Sequence, residues 1–438
     1  MKANLLVSAG VASAAIPTVH MPLNLRYGAN KKVSTELKLP YSDGTVEVCY
    51  DLGSSDFWMF RPKAIQNWGK NCLLCQGMCN VTVPDAGIYD PSQSTSASEI
   101  APWDAMYGYG GGAAKAYHAN GVVNDTFTFT NDAGYSTVVP DVQVAMTFYL
   151  QQRILDPKGE CNPVPEYDYS IMGMSPYYTS PDRNIENTTG PSFRHNLLEQ
   201  GLVANTVQSL WFERAPARIE DTYTGSGLQG GIDLSKFEGP LVKIPTLPAT
   251  DIAYGAVGYY TIQPNLTFVA ADGGIVDIPV DRSNTVTINE CIIDSGATRD
   301  GLAPLDADRF LNVTGLRYSP SRPYPGQELA WPAPCDTIPT DGEQAFLQYS
   351  FAALDPAAAP IEISMPLRAY ARQQDPEDTA IGWCTINIFL GSCMLGSPFS
   401  TRAFFAADDA RLELALAKGG VAERGSGVDP AHVVDRIP

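Results

Sequence analysis

The feature that most limits how this chain can fold is a pattern that occurs twice. An apolar, strand-like run leads into Asp-x-Gly-[Ser/Ala]-[Ser/Thr], and far downstream two apolar residues are followed by Gly. In the first half these are Cys49-Tyr50-Asp51-Leu52-Gly53-Ser54-Ser55 and Ile171-Met172-Gly173. In the second they are Ile292-Ile293-Asp294-Ser295-Gly296-Ala297-Thr298 and Met394-Leu395-Gly396. The spacing is alike, with 122 residues from Asp51 to Gly173 and 102 from Asp294 to Gly396. One Asp-x-Gly is an ordinary turn. Two, in corresponding places, predict two similar lobes that each present one carboxylate.

The pattern has a chemical reading. A buried strand carries each Asp toward a low-dielectric centre, and Gly53 or Gly296 lets the backbone turn tightly beside it. Ser54 is placed to hydrogen-bond the Asp51 carboxylate. Two carboxylates a hydrogen bond apart cannot both ionise, so they share a proton and titrate apart. The ionised member can take a proton from a bound water while the protonated member polarises a carbonyl, with no metal, cofactor or covalent intermediate required.

Composition agrees with such a fold. Of the 438 residues 44% are hydrophobic and only 18% charged, which predicts a globular chain with room for two lobes. Gly (38), Pro (34) and Tyr (21) are abundant and helical periodicity is brief, so the expected class is all-β. Strands are expected at Val46–Tyr50, Val122–Thr130, Thr137–Val144, Ser209–Glu213, Thr285–Ile293 and Ala403–Ala407, with helices only near Ser192–Gln200 and Leu305–Leu311. A net charge of −19 repels phosphate backbones and anionic lipid, which argues against nucleic-acid or membrane-surface partners.

Lys2, the apolar stretch Ala3–Val11 and Ala12-Ser13-Ala14 read as a signal peptide over residues 1–14. No later apolar run reaches membrane-spanning length. Five Asn-x-Ser/Thr sequons, at Asn80, Asn124, Asn187, Asn265 and Asn312, fit secretory passage with glycosylation. The expected location is extracellular, with a vacuolar lumen as the alternative.

Nine cysteines imply disulfides with at least one cysteine left over. Cys72, Cys75 and Cys79 lie in a polar segment and make a weak metal signal, so disulfides are their expected use; their pairing, and that of Cys161, stays open. Cys49, Cys291 and Cys393 sit in apolar runs and are expected as buried free thiols. None of His20, His118, His195 or His432 lies in a recognisable nucleophile setting, which disfavours a cysteine peptidase.

Taken together the motifs resemble those of the pepsin-like aspartic peptidases over nearly the whole chain after residue 14, in the manner of secreted fungal-type members. Asp51-Leu52-Gly53-Ser54-Ser55-Asp56-Phe57-Trp58 resembles the first active-site motif and Asp294-Ser295-Gly296-Ala297-Thr298 the second. Tyr89-Asp90-Pro91-Ser92 resembles the turn before the flap, and Tyr107-Gly108-Tyr109-Gly110-Gly111 the flap hairpin. The resemblance puts Tyr107 in the place of the flap tyrosine, beside Gly108, with Trp58 as its hydrogen-bond partner. Ser192-Phe193 through Gly201-Leu202, then Gly230-Gly231-Ile232-Asp233, resembles the crossing into the second lobe, and Cys335 with Cys384 matches that lobe's disulfide.

The resemblance implies a bilobal fold of two six-stranded, barrel-like lobes with a cleft between them: an N-terminal lobe over 15–205, a C-terminal lobe over 206–420 and a polar tail over 421–438. It also implies a monomeric endopeptidase with polypeptide substrates and sensitivity to pepstatin-like inhibitors.

The sequence departs from the family pattern in three places. Leu52 stands where the family has Thr, whose hydroxyl donates across to the opposite loop; Ser295 can still donate, so a one-sided clasp is expected, at a cost of about 1–3 kcal/mol if an acceptor is left dry. Ala297 lacks a hydroxyl that would favour the ionised form of Asp294, so that carboxyl is expected to titrate higher. A cut after Ala14 would leave 36 residues ahead of Asp51, without room for a basic inhibitory prosegment. Two other readings stay open on the sequence alone: a binding or inhibitor protein on this fold with weakened catalysis, and a glycan-binding β-protein.

Overall fold

The computed structural model describes residues 16–438 except 28–31, 40, 71–78, 110–114, 155–168, 176–189, 246–259, 281–290, 320–327, 339–344, 372–379 and 392. The signal segment, Cys72, Cys75, Cys161, Asn187, Gly110 and Gly111 lie outside the described residues.

The chain is all-β and bilobal, with half its residues in strands and 11% in helix. The first half contributes β1 (Val19–Leu25), β2 (Val33–Lys38), β3 (Thr45–Asp51), β4 (Phe57–Lys70), β5 (Cys79–Thr82), β6 (Ala105–Tyr109), β7 (Lys115–Thr130), β8 (Ser136–Ile154) and β9 (Ser170–Gly173). Alternating burial along β7 shows why the sequence folds this way: Val123, Asp125, Phe127 and Phe129 turn inward while Asn124, Thr126 and Thr128 are less buried. Strands β7 and β8 pair with each other over most of their length and run well past the segments expected from the sequence.

One continuous 14-stranded sheet links the halves. In it β1 pairs with Tyr223–Gln229, which pairs with Val207–Phe212, then Ala403–Asp408, Glu413–Lys418 and Glu238–Ile244. On the other side of β1 the order is β2, β3, β9, β4, β8, β7 and β6. The first lobe's opening strand therefore belongs to the sheet that joins both lobes. The second half adds a seven-stranded sheet containing Cys291–Ile293 and a four-stranded sheet, Ile275–Ile278, Pro264–Val269, Phe346–Phe351 and Ile361–Pro366. Helix α1 (Phe193–Glu199) bridges the halves in sequence, and Ser192 Oγ caps it by accepting from the His195 N–H.

Residues 421–438, expected as a polar tail, are docked. Val433–Val434 pairs with Ile232–Asp233, the Asp429 N–H donates to Asp233 Oδ2 at 2.7 Å, and Ile437 is buried. Single apolar residues spaced among polar ones are enough to hold the segment once a surface exists to receive them.

The cysteines require a second correction. Cys291 and Cys393, expected as free thiols, form a disulfide. Parallel pairing of Ile292–Ile293 with Met394–Leu395 brings their Cα atoms to 4.5 Å, within bridging range. Among the described residues Cys335 and Cys384 form a second bridge, with Cα atoms 4.8 Å apart. Cys49 is buried in β3.

Candidate active site

Each Asp is delivered by the same local device. Strand β3 lies parallel to β9 with Asp51 opposite Gly173, and Cys291–Ile293 lies parallel to Met394–Leu395. The Met174 N–H donates to the Asp51 carbonyl at 2.6 Å, and the Asp294 N–H donates to the Leu395 carbonyl at 2.9 Å. Gly173 and Gly396 permit this closeness. A Cβ on Gly173 would come within 2.5 Å of the Asp56 nitrogen, and one on Gly396 within 2.9 Å of the Ala297 carbonyl.

The two loops then face each other, with each glycine against the opposite Asp. A Cβ on Gly53 would lie 2.5 Å from Asp294 Cγ, and one on Gly296 would lie 2.6 Å from Asp51 Cγ. No side chain larger than hydrogen fits either position without displacing a carboxyl group. The carboxyls of Asp51 and Asp294 are hydrogen-bonded to one another.

Their surroundings differ. Asp51 is buried and accepts from Ser54 Oγ at 2.5 Å and from the Gly53 N–H at 2.8 Å. Asp294, half-buried, accepts at Oδ1 from the Gly296 and Ala297 N–H groups, at 2.9 and 3.1 Å. Burial, followed by the Asp51 charge and the bond between the carboxyls, holds Asp294 well above the ordinary carboxylate range. The missing hydroxyl at Ala297 leaves that upward pressure opposed only by the backbone.

Ser295 reaches across the pair. Its Oγ donates to the Tyr50 carbonyl at 2.6 Å and accepts from the Leu52 N–H at 3.0 Å. Leu52 is fully buried in the core and offers no hydroxyl in return. Ser397 adds to the clasp, its Oγ donating to the Ser295 and Ala297 carbonyls and accepting from the Val33 N–H at 3.2 Å.

Near Asp51, Trp58 has a different hydrogen-bond partner from the Tyr107 expected for it. The single N–H of Trp58 donates to Tyr109 Oη at 2.6 Å, not to Tyr107. Tyr109 Oη also hydrogen-bonds Ser54, and so links Trp58 to the hydroxyl that holds Asp51. Tyr107 and Tyr109 lie on the same buried face of β6, with ring centroids 4.7 Å apart, and Gly108 falls between them facing the other way. Strand periodicity marks both tyrosines equally; only the register of the hairpin against Trp58 decides which one reaches it. Trp58 is further fixed by stacking on Tyr117 at 5.2 Å, whose hydroxyl donates to the buried Asp56 at 2.5 Å. Tyr117 did not stand out in the sequence, and Asp56 entered only as a member of the first motif, with no role of its own.

The sequons fall in varied settings. Asn80, Asn265 and Asn312 are exposed, whereas Asn124 is half-buried in mid-strand with its amide donating to Asp141 Oδ1 at 3.0 Å.

Residues 35–418 match the family model described as eukaryotic aspartyl protease. The chain belongs to that family. A search among curated proteins returned no match. The matched span takes in both Asp-x-Gly loops, strands β6 and β7 and the two disulfides found among the described residues. No helix among the described residues is long and apolar enough to cross a membrane.

Proposed function

We propose that the chain is an aspartic endopeptidase in which Asp51 and Asp294 share one proton and activate a water between them. The observation that supports this best is the reciprocal fit of Gly53 on Asp294 and Gly296 on Asp51, which leaves the two carboxyls facing one another at hydrogen-bond range. Asp294 is held well above the ordinary carboxylate range, so in this reading the shared proton starts there and Asp51 acts as the base. Asp51 removes a proton from the water as its oxygen attacks the scissile carbonyl carbon. Asp294 gives its proton to the carbonyl oxygen, so the addition yields a neutral geminal diol. Transfer of the Asp51 proton to the departing nitrogen, with return of a diol proton to Asp294, completes the cut and restores the pair.

Tyr109 and Trp58 are the flap residues in this reading, closing over an extended polypeptide substrate, and the protein is secreted as a glycosylated monomer. The absence of a hydroxyl at Leu52 loosens one arm of the clasp but leaves both bonds of Ser295 in place. Incubating the protein with acid-denatured globin tests the reading: peptides should be released in mild acid, and pepstatin should stop their release. Absence of any pepstatin-sensitive cleavage from acid to neutral pH would refute it.

A further inference from the structure

The second loop contains a carboxylate that the chemistry above does not use. Asp300, six residues beyond Asp294, is fully buried at the start of the strand Asp300–Leu302. Its Oδ1 accepts from the Gly396 N–H at 2.7 Å and its Oδ2 from Tyr349 Oη at 3.4 Å. The Phe399 N–H and the Tyr370 hydroxyl also bond it, and the two tyrosine hydroxyls are 3.0 Å apart. Apart from Gly396, which directly precedes the last of them, these donors come from three elements packed around it: the strand Phe346–Phe351, the turn Leu367–Tyr370 and the short helix Ser397–Ser400. The neighbouring strands Cys384–Leu390 and Met394–Leu395 bring no ionisable side chain, since Cys384 is bridged. Arg299, next to Asp300 in sequence, is engaged with Glu328. Among the described residues, then, Tyr349 and Tyr370 are the titratable groups bonded to Asp300, and no cation is among its partners.

What Asp300 holds is the segment that holds Asp294. Leu395 accepts from the Asp294 backbone, Gly396 donates to Asp300, and Ser397 donates from its N–H and its Oγ to the Ala297 carbonyl. We propose that Asp300 is a positioning residue for the Asp294 half of the pair, fixing residues 395–397 beneath the loop and coupling its own ionisation to the proton the pair shares. Burial pushes Asp300 up to about 7, so it is neutral in acid, where its proton can be donated to either tyrosine hydroxyl while Oδ1 keeps the Gly396 bond. Above that pH a second buried negative charge appears behind Asp294. A like charge there opposes loss of the shared proton and extends activity toward neutral.

This inference rests on the shared-proton reading, and the test separates the two. In Asp300→Asn the Oδ1 acceptor remains but the charge cannot form. At pH 4 its kcat should stay within about three-fold of the parent, while Asp300→Ala should lose about ten-fold or more in kcat with KM little changed. The neutral-side limb of kcat in Asp300→Asn should move toward acid by several tenths of a pH unit or more. The ¹³Cγ resonance of Asp294 should show the same downward move in its titration, whether or not the protein turns over substrate. Should the parent cleave nothing, the peptidase reading falls, and the Asp294 titration still decides the role of Asp300. An Asp294 titration unchanged in Asp300→Asn, or a folded Asp300→Ala with the parent's kcat, would overturn it.

Discussion

The two Asp loops reach the same geometry from unlike parts. The Asp51 loop is held by side chains: Ser54 bonds the carboxylate, Tyr109 and Trp58 tie Ser54 to the flap, and Tyr117 braces Trp58. At Asp294 the carboxylate itself is met by backbone, the N–H groups of Gly296 and Ala297, while the Ser397 hydroxyl and the buried Asp300 brace the loop from residues 395–397. The proposed mechanism draws its base from the first side, where Ser54 Oγ donates to the carboxylate. On the second, desolvation and the neighbouring Asp51 charge hold the carboxyl well above the ordinary carboxylate range, opposed by the Gly296 and Ala297 N–H groups. The difference teaches how a near-symmetric pair of carboxyls acquires two roles.

The comparison breaks most completely if either carboxyl is lost. Asp51→Asn and Asp294→Asn should each lower kcat by about 10³-fold or more, measured on a denatured protein substrate with thermal unfolding as the control for folding. Gly53→Ala and Gly296→Ala come next. Each inserts a methyl group into the opposite carboxyl, and a displacement of that order should cost about 10²-fold in kcat. If either alanine variant kept the parent's rate, the facing arrangement of the loops would be wrong.

Smaller substitutions sharpen the contrast. Tyr109→Phe removes the hydroxyl that joins Trp58 to Ser54 and should reduce kcat/KM by about ten-fold, more than Tyr107→Phe; steady-state kinetics on one peptide substrate compares them. Ala297→Thr gives the second loop the hydroxyl it lacks, favouring ionised Asp294, so the neutral-side limb of the pH–rate profile should shift toward acid. An unmoved profile would contradict the part assigned to Ala297.

Stability should follow pH in the same sense. Asp294 and Asp300 both have folded pKa values above those of the unfolded chain, so the folded state binds more protons between the two. The stabilisation is fully present below the unfolded value, near 3.8 for Asp300, and is lost as pH rises through its folded value of about 7. The thermal midpoint should fall between pH 4 and pH 8, and Asp300→Asn should flatten that fall.

Much of this was legible in the sequence for a physical reason. A strand that must bury itself, a glycine that must admit a facing group and an Asp between them are local features, and their repetition at matched spacing carried the bilobal all-β fold. What escaped depends on pairing between distant segments. The register of the β6–β7 hairpin over Trp58 moved the flap hydrogen bond from Tyr107 to Tyr109, a choice that two tyrosines on one strand face leave open. Cys291 and Cys393 looked like core residues because each sits in an apolar run; only the parallel pairing of strands 102 residues apart brings them together. Residues 421–438 looked polar because their few apolar contacts, such as Ile437, are scattered. Asp300 carried no signal at all, since the donors around it arrive from three separate elements.

The central claim is that one proton is shared by Asp51 and Asp294 and that peptide hydrolysis depends on it. The most direct measurement is the initial rate of denatured-globin cleavage from pH 2 to 8 for the parent, the parent with pepstatin, and Asp51→Asn. The account predicts a bell-shaped profile for the parent, abolished by pepstatin and absent in Asp51→Asn at every pH. A folded Asp51→Asn that cleaves at the parent's rate, or parent cleavage indifferent to pepstatin, would contradict it.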